Sequence, residues 1–384
     1  MIARRIILAV LWILSIVAIS FYGGPLSYGF FFAVTLIPLI SFFYTFVVYT
    51  RFRMYQSTDS VNIICRSGTP YMLTLQNEDK FAFSCVGIRF YSDLSYVPDI
   101  NEYEEYELLP GDNIKIEKQL ICKYCGEYLV GANEVTFTDF FRIFRFKYKN
   151  QCELKAFVFP RKIALSSLRS ANDMMIVSKR ENKHDATEPG FDLRDFVPGD
   201  RLKDIHWNAT AKEGILKIRN RVGEERQEIY FYLDNKLIKG KLIDTLPIYS
   251  QAKEATIALC LYLLKNKIPV RACLNEHSIL TSNDEGFDSF YQLVAEMKFE
   301  DENTPATKLL MNVNKALAQR LNSFWAVVFD MDVTLYNELI NASNMGIYII
   351  VFVIADKPEG IEYINTERVK IIFISPDSSL EDVL

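Results

Sequence analysis

The chain has 384 residues, half of them apolar, with 43 Lys and Arg against 48 Asp and Glu for a formal charge of −5. That balance argues against nucleic acid as the main partner, because binding a polyanion requires a basic surface. The length accommodates two or three domains. Seven scattered cysteines, an odd number, fit reduced thiols better than a secreted disulfide framework.

Residues 6–22 form an unbroken apolar run preceded by Arg4 and Arg5, and residues 30–49 form a second run followed by Arg51 and Arg53. At about 1.5 Å per residue, each is long enough to cross most or all of a hydrocarbon core about 30 Å thick. The uncharged connection from Gly23 to Gly29 reads as a hairpin loop. Arginines outside both runs, and none between them, predict a two-helix membrane anchor over residues 1–54. Both termini and everything beyond the anchor then lie on the cytoplasmic side of the cell membrane. The rival reading is a cleavable signal peptide ending near Ala18-Ile19-Ser20, which would still leave the second run as an anchor.

Residues 55–160 change to short runs of period two broken by Asn, Asp and Gly, with strand candidates at 61–64, 71–75, 86–90, 113–116, 126–130 and 135–138. Repeated strands without a helical stretch predict an all-β, sandwich-like domain. Residues 144–149, F-R-F-K-Y-K, alternate aromatic and cationic side chains. They read either as a half-buried strand with a solvated outer face or as a basic face set against anionic headgroups.

Residues 161–225 hold a polar linker and one dense motif. Pro198-Gly199 fits a tight turn, Asp200 a helix N-cap, and Leu202, Ile205 and Ala209 a helical stripe from Arg201 of about three turns, with Gly214 as the stop. On that helix sit His206 and Trp207, from two of the scarcest residue types. A strand is expected from Ile215 to Arg219.

From residue 226 to 384 buried strands alternate with helices: strands at 229–233, 270–274, 325–329, 347–354 and 369–374, helices at 248–264, 287–297, 308–321 and 335–342. This predicts a doubly wound α/β domain with a parallel sheet.

The string R-D-F-x-P-G-D-x-x-x-x-I-H-W-x-x-x-A-K, carried by Arg194, Pro198, Gly199, Asp200, Ile205, His206 and Trp207, resembles the signature of the bacterial "domain of unknown function fifty-eight" family. The resemblance implies a membrane hairpin, a β domain and a von Willebrand factor A-like domain. It also implies a MoxR-type AAA+ ATPase as partner, with remodelling of a membrane or envelope complex as the setting. No reaction is established for the family.

Ligands of open α/β sheets gather at the carboxyl ends of strands, so Asp234, Asp330 and Asp332 are the metal candidates. An A-like domain with a metal uses Asp-x-Ser-x-Ser after its first strand, whereas here Lys236 and Ile238 occupy the serine positions. A lysine there opposes a divalent ion. Cys122 and Cys125 have the spacing of half a zinc site without a second half, and strand residues at i and i+3 face opposite ways. Neither a metal nor another cofactor is therefore expected, and no small-molecule substrate is inferred. The leading expectation is a membrane-tethered adaptor in which the motif helix is structural or docks a protein. The alternative is an enzyme using Arg194, Asp200 and His206.

Overall fold

The computed structural model of the protein describes residues 2–58, 63–149, 153–166, 168, 189–196, 205–221, 228–274, 277–300, 305–319, 321, 323–358 and 365–383. The chain forms two compact units, Met1–Arg161 and Lys162–Leu384.

The first unit begins with α1 (Ile2–Tyr22) and α2 (Pro25–Arg51), both long and apolar enough to cross a membrane. Their connection is only Gly23-Gly24, shorter than the expected loop. Pro25 starts α2 because its fixed φ suits a first helical position, whose N–H needs no partner. The helices turn most large apolar side chains outward, among them Ile6, Ile7, Leu14, Phe32 and Ile40. Trp12 Nε1 donates to Thr35 Oγ1 at 3.3 Å, fixing their antiparallel register.

The strands that follow are β1 (Arg53–Thr58), β2 (Ile63–Ile64), β3 (Gly68–Gln76), β4 (Phe83–Phe90), β5 (Ser95–Tyr96), β6 (Tyr103–Leu108), β7 (Asn113–Cys122), β8 (Gly126–Val130), β9 (Ala132–Thr138), β10 (Arg145–Lys149) and β11 (Leu154–Phe159). They make sheets ordered β1-β3-β7-β5, β10-β9-β4-β6 and β2-β11-β8. Alternation buries Tyr71, Leu73 and Leu75 of β3 on one face, as period-two patterning requires. Gln56 joins two sheets: its Oε1 accepts from Tyr71 Oη and from Ala132 N. Gly131 (φ 79) permits that approach, since a Cβ there would lie 2.5 Å from Gln56 Oε1.

The last turns of α2 pack on this β region instead of standing free. Ser41, Thr45 and Val48 are buried, and Phe42 and Tyr49 meet Phe144, Phe146, Tyr148 and Phe137 at ring separations of 5.4 to 6.0 Å. The aromatic face of β10 is therefore spent on α2. On its outer face, Lys147 pairs with Glu134 of β9 at 2.9 Å.

The second unit holds β12 (Pro189–Asp195), α3 (Trp207–Glu213) and β13 (Lys217–Arg221), with β12 and β13 antiparallel. Then come β14 (Ile229–Leu233), α4 (Leu242–Lys265), β15 (Val270–Leu274), β16 (His277–Thr281), α5 (Asp284–Glu296), α6 (Pro305–Ala318), β17 (Ser323–Val328), α7 (Val333–Ser343), β18 (Tyr348–Val353), β19 (Val369–Phe373) and α8 (Leu380–Val383). The sheet runs β16-β15-β14-β17-β18-β19. It is mixed, which corrects the all-parallel expectation: β16 runs antiparallel to β15, as a two-residue connection demands. The remaining pairs are parallel.

Both faces of the sheet are covered. Ile229, Phe231 and Leu233 join a core with α4 and α5, while Tyr230 and Tyr232 join a second core with α6 and α7. The near-continuous apolar strands follow from that two-sided burial.

Candidate functional site

The chain leaves β14 toward β15 on one side, and β17 lies on the other, so the strand order reverses between β14 and β17. The crevice beyond their carboxyl ends is the position where open α/β sheets take ligands. Asp234 follows β14 and Asp330 follows β17.

Asp234 is 2% exposed. Its N–H donates to Val327 O at 2.9 Å, and its Oδ1 accepts from Lys236 N at 3.2 Å. Oδ2 and the hydroxyl of Tyr232 are both buried without a hydrogen-bond partner among the described residues. Side chains two apart on a strand share a face, so these orphans belong to one pocket. Burial raises the Asp234 pKa to about 6, outweighing the opposing effects of the Lys236 amide and ammonium, the Asn235 amide and the Lys308 charge. Tyr232 is pushed upward by burial and then by the Asp234 charge.

Lys236 Nζ reaches across to Asp330 Oδ2 at 3.4 Å. Asp332 is committed elsewhere: its Oδ1 accepts from Leu335 N at 2.6 Å and caps α7. This donor set does not fit a divalent ion, since one aspartate serves as a cap and an ammonium faces another. Among the described residues no group of three His, Cys, Asp or Glu is arranged to hold a metal.

Within the motif, Pro198, Gly199 and Asp200 lie outside the described residues, as do Leu202, Lys203 and Asp204. Arg194 lies in β12 opposite Ile218 of β13. The expected helix is corrected over residues 205–206, since α3 starts at Trp207; its residues 201–204 lie outside the described residues. Ile205 forms an isolated antiparallel bridge to Ile218, and His206 N donates to Lys217 O at 2.8 Å, so the backbone is still extended there. His206 is itself the N-cap, its Nδ1 accepting from Ala209 N at 3.1 Å. Gly214 (φ 70) ends the helix in the left-handed region, as expected.

Trp207 is 66% exposed and so does not lock the helix into a core. Leu193, Ile215 and Leu216, which flank it in the same β12-α3-β13 segment, are also exposed. Lys217 ties the segment together by contacts of 2.8 Å to Asp195 and 3.0 Å to Glu213, which raise its pKa. The sequence reading missed that role. The i,i+4 spacing of Glu213 and Lys217 suggested it only if the helix were continuous, and Gly214 breaks it.

Cys122 is the last residue of β7 and Cys125 sits in the turn that enters β8, so the pair lies at a strand end and a strand entry with a turn between them. Both are buried and outside any disulfide, as is Cys65, whose Sγ donates to Lys123 O at 3.1 Å. Burial pushes the Cys122 thiol up to about 11, which keeps it protonated and poor as nucleophile or metal ligand at neutral pH.

No protein-family model matches the chain, and no curated protein matches it. Among solved structures, an exo β-N-acetylglucosaminidase from Vibrio harveyi in complex with N-acetylglucosamine aligns at 10% identity, covering 79% of this chain and 57% of that one, with a TM-score of 0.20. A β-glucuronidase from Bacteroides uniformis aligns at 9% identity, covering 78% and 33%, with a TM-score of 0.18. The chain thus spans well under two thirds of either protein, and superpositions this poor do not amount to a shared fold.

Proposed function

We propose that the chain is a membrane-tethered adaptor of the "domain of unknown function fifty-eight" type. Its two apolar helices hold both soluble units at the cytoplasmic face of a cell membrane. The second unit serves as a von Willebrand factor A-like recognition domain for a MoxR-type AAA+ ATPase that acts on a membrane or envelope complex. The observation that carries this reading is Trp207, a large aromatic left 66% exposed within the family-like motif. Tryptophan, with tyrosine and arginine, is enriched among the residues that dominate binding energy at protein interfaces. His206, with Nδ1 engaged in a cap, supports a positioning role over acid–base chemistry. The Lys236–Asp330 pair supports an A-like crevice that works without a metal ion.

The test is co-purification from detergent-solubilised membranes. The wild-type chain is expected to recover an AAA+ ATPase, and Trp207→Ala to lose it roughly tenfold or more. Met345→Ala, at a 72% exposed position, serves as the control that retains it. A wild-type chain that never recovers an ATPase contradicts the reading.

A further inference from the structure

We propose that the loop at residues 139–144 is a third bilayer contact, with Phe140 and Phe141 entering the membrane beside α2 so that the groove they form accepts a lipid acyl chain. The proposal rests on the reading of α1 and α2 as spans.

Depth comes first. Arg4 Nη1 donates to Phe141 O at 3.1 Å and Arg5 Nε to Ile143 O at 2.8 Å. Arginines flanking an apolar span settle at the headgroup level, since moving them into hydrocarbon costs several kcal/mol. The loop they grip is held at that level. The Trp12–Thr35 contact pairs the helices so that Arg5 lies level with about residue 42 of α2. Ile37 and Ile40 are then on the hydrocarbon side of Arg5, by about one and a half turns and about half a turn.

Chemistry selects the occupant. Ile37, Ile40, Tyr44, Phe81, Phe140 and Phe141 line an open groove of about 500 Å³. Its two hydroxyls on α2 are already engaged: Tyr44 Oη donates to Ala82 O at 2.6 Å and accepts from Ser84 N, and Ser41 Oγ donates to Asp139. What remains to be covered is hydrocarbon surface, continuous with the outward face of α2, which suits an alkyl chain better than a peptide with backbone groups to satisfy.

Rigidity makes the exposure meaningful. Asp139 is fully buried, with Oδ2 accepting from Ser41 and Oδ1 from Phe144 N at 2.6 Å, and Arg142 N closes the turn on Asp139 O at 2.8 Å. The loop therefore presents Phe140, 76% exposed, and Phe141, 45% exposed, from a fixed base. Two adjacent exposed phenylalanines on a braced loop at the headgroup level are suited to insertion among lipid chains. The exposed Arg145 stands nearby for phosphate headgroups.

The experiment uses the full chain in vesicles of phosphatidylcholine and phosphatidylglycerol, with plain or brominated acyl chains, which quench indole fluorescence on contact. The native tryptophans are Trp12, Trp207 and Trp325. Trp12 reports the helices, and Phe140→Trp, with Phe141→Trp as a second variant, reports the loop. The expected result is that brominated chains quench Trp12 in the wild type and that the quenched signal about doubles in either variant, the new indole being shielded from aqueous acrylamide. If Trp12 is quenched while the new indoles respond to acrylamide and not to bromine, the loop proposal fails and the spans stand. If Trp12 is also untouched by bromine, both fail.

Discussion

Ser41 Oγ donates to Asp139 Oδ2 at 2.7 Å in a buried contact that ties the second apolar helix to the β-rich region. Both partners lie in stretches that look unrelated in sequence, one an apolar run and the other a turn between strands. The contact makes the helix a structural part of the first unit as well as an anchor. Ser41→Ala leaves a buried carboxylate oxygen without its donor, which costs about 1.5–3 kcal/mol. Thermal unfolding of the detergent-solubilised protein should show that loss, and a variant as stable as wild type would mean that the contact is dispensable.

The Asp234 carboxyl moves from the ordinary 3.8 to about 6 in the fold. Between those values the native state binds more protons than the unfolded chain, so stability falls as pH rises through this window. The loss is at most about 3 kcal/mol, complete above pH 6 and absent below 4. Asp234→Asn removes it while keeping an acceptor for Lys236 N and offering an N–H to the orphaned Tyr232 hydroxyl. The variant should be more stable than wild type at pH 7.5 by about 1–3 kcal/mol and equal to it near pH 4, read from unfolding curves at both values.

His206→Ala removes the cap of a seven-residue helix and should cost about 1 kcal/mol there, exchanging the Ala209 amide about fivefold faster. Asn is a better cap, so His206→Asn should restore both the slow exchange and the recovery of the ATPase. Restoration by Asn would be incompatible with an acid–base role for the imidazole.

What was legible in the sequence and what was not divides along physical lines. The runs at 229–233 and 325–329 announced two-sided burial through unbroken apolar residues, and the structure places both inside a sheet covered on each face. The helices around that sheet were found with ends shifted by a few residues, because caps such as Asn283 and Asp332 act through geometry rather than hydrophobicity. Strand β16 went unread because H-S-I-L-T has only two strongly apolar residues, too few to announce an edge strand. The motif helix was read as running through Ile205 because Ile205 and Ala209 happen to match a helical period. Ile205 instead pairs with Ile218, and a long-range bridge of that kind has no local signature. Asp234 was found as a strand-end carboxylate, yet its neighbour Tyr232 was not, although a spacing of two already placed both on one face.

Millimolar Mg²⁺ should leave the thermal midpoint of the wild-type protein unchanged, because Lys236 faces Asp330 and Asp332 is spent on α7. Lys236→Ala breaks a partly exposed ion pair worth about 1 kcal/mol or less. It also removes a charge that lowers the Asp234 pKa, so the pH dependence of stability should deepen. A midpoint that climbs with Mg²⁺ in the wild type would show that the crevice takes a metal after all.

The reading as a whole depends on two helices crossing the bilayer with Arg4, Arg5, Arg51 and Arg53 and both soluble units on one side. The most direct measurement is labelling by a membrane-impermeant maleimide of Leu26→Cys, at the helix connection, and of Met345→Cys, in the second unit, both highly exposed positions. In intact cells Leu26→Cys should label and Met345→Cys should not; in inverted membrane vesicles the pattern should reverse. Labelling of Met345→Cys from outside intact cells would contradict it.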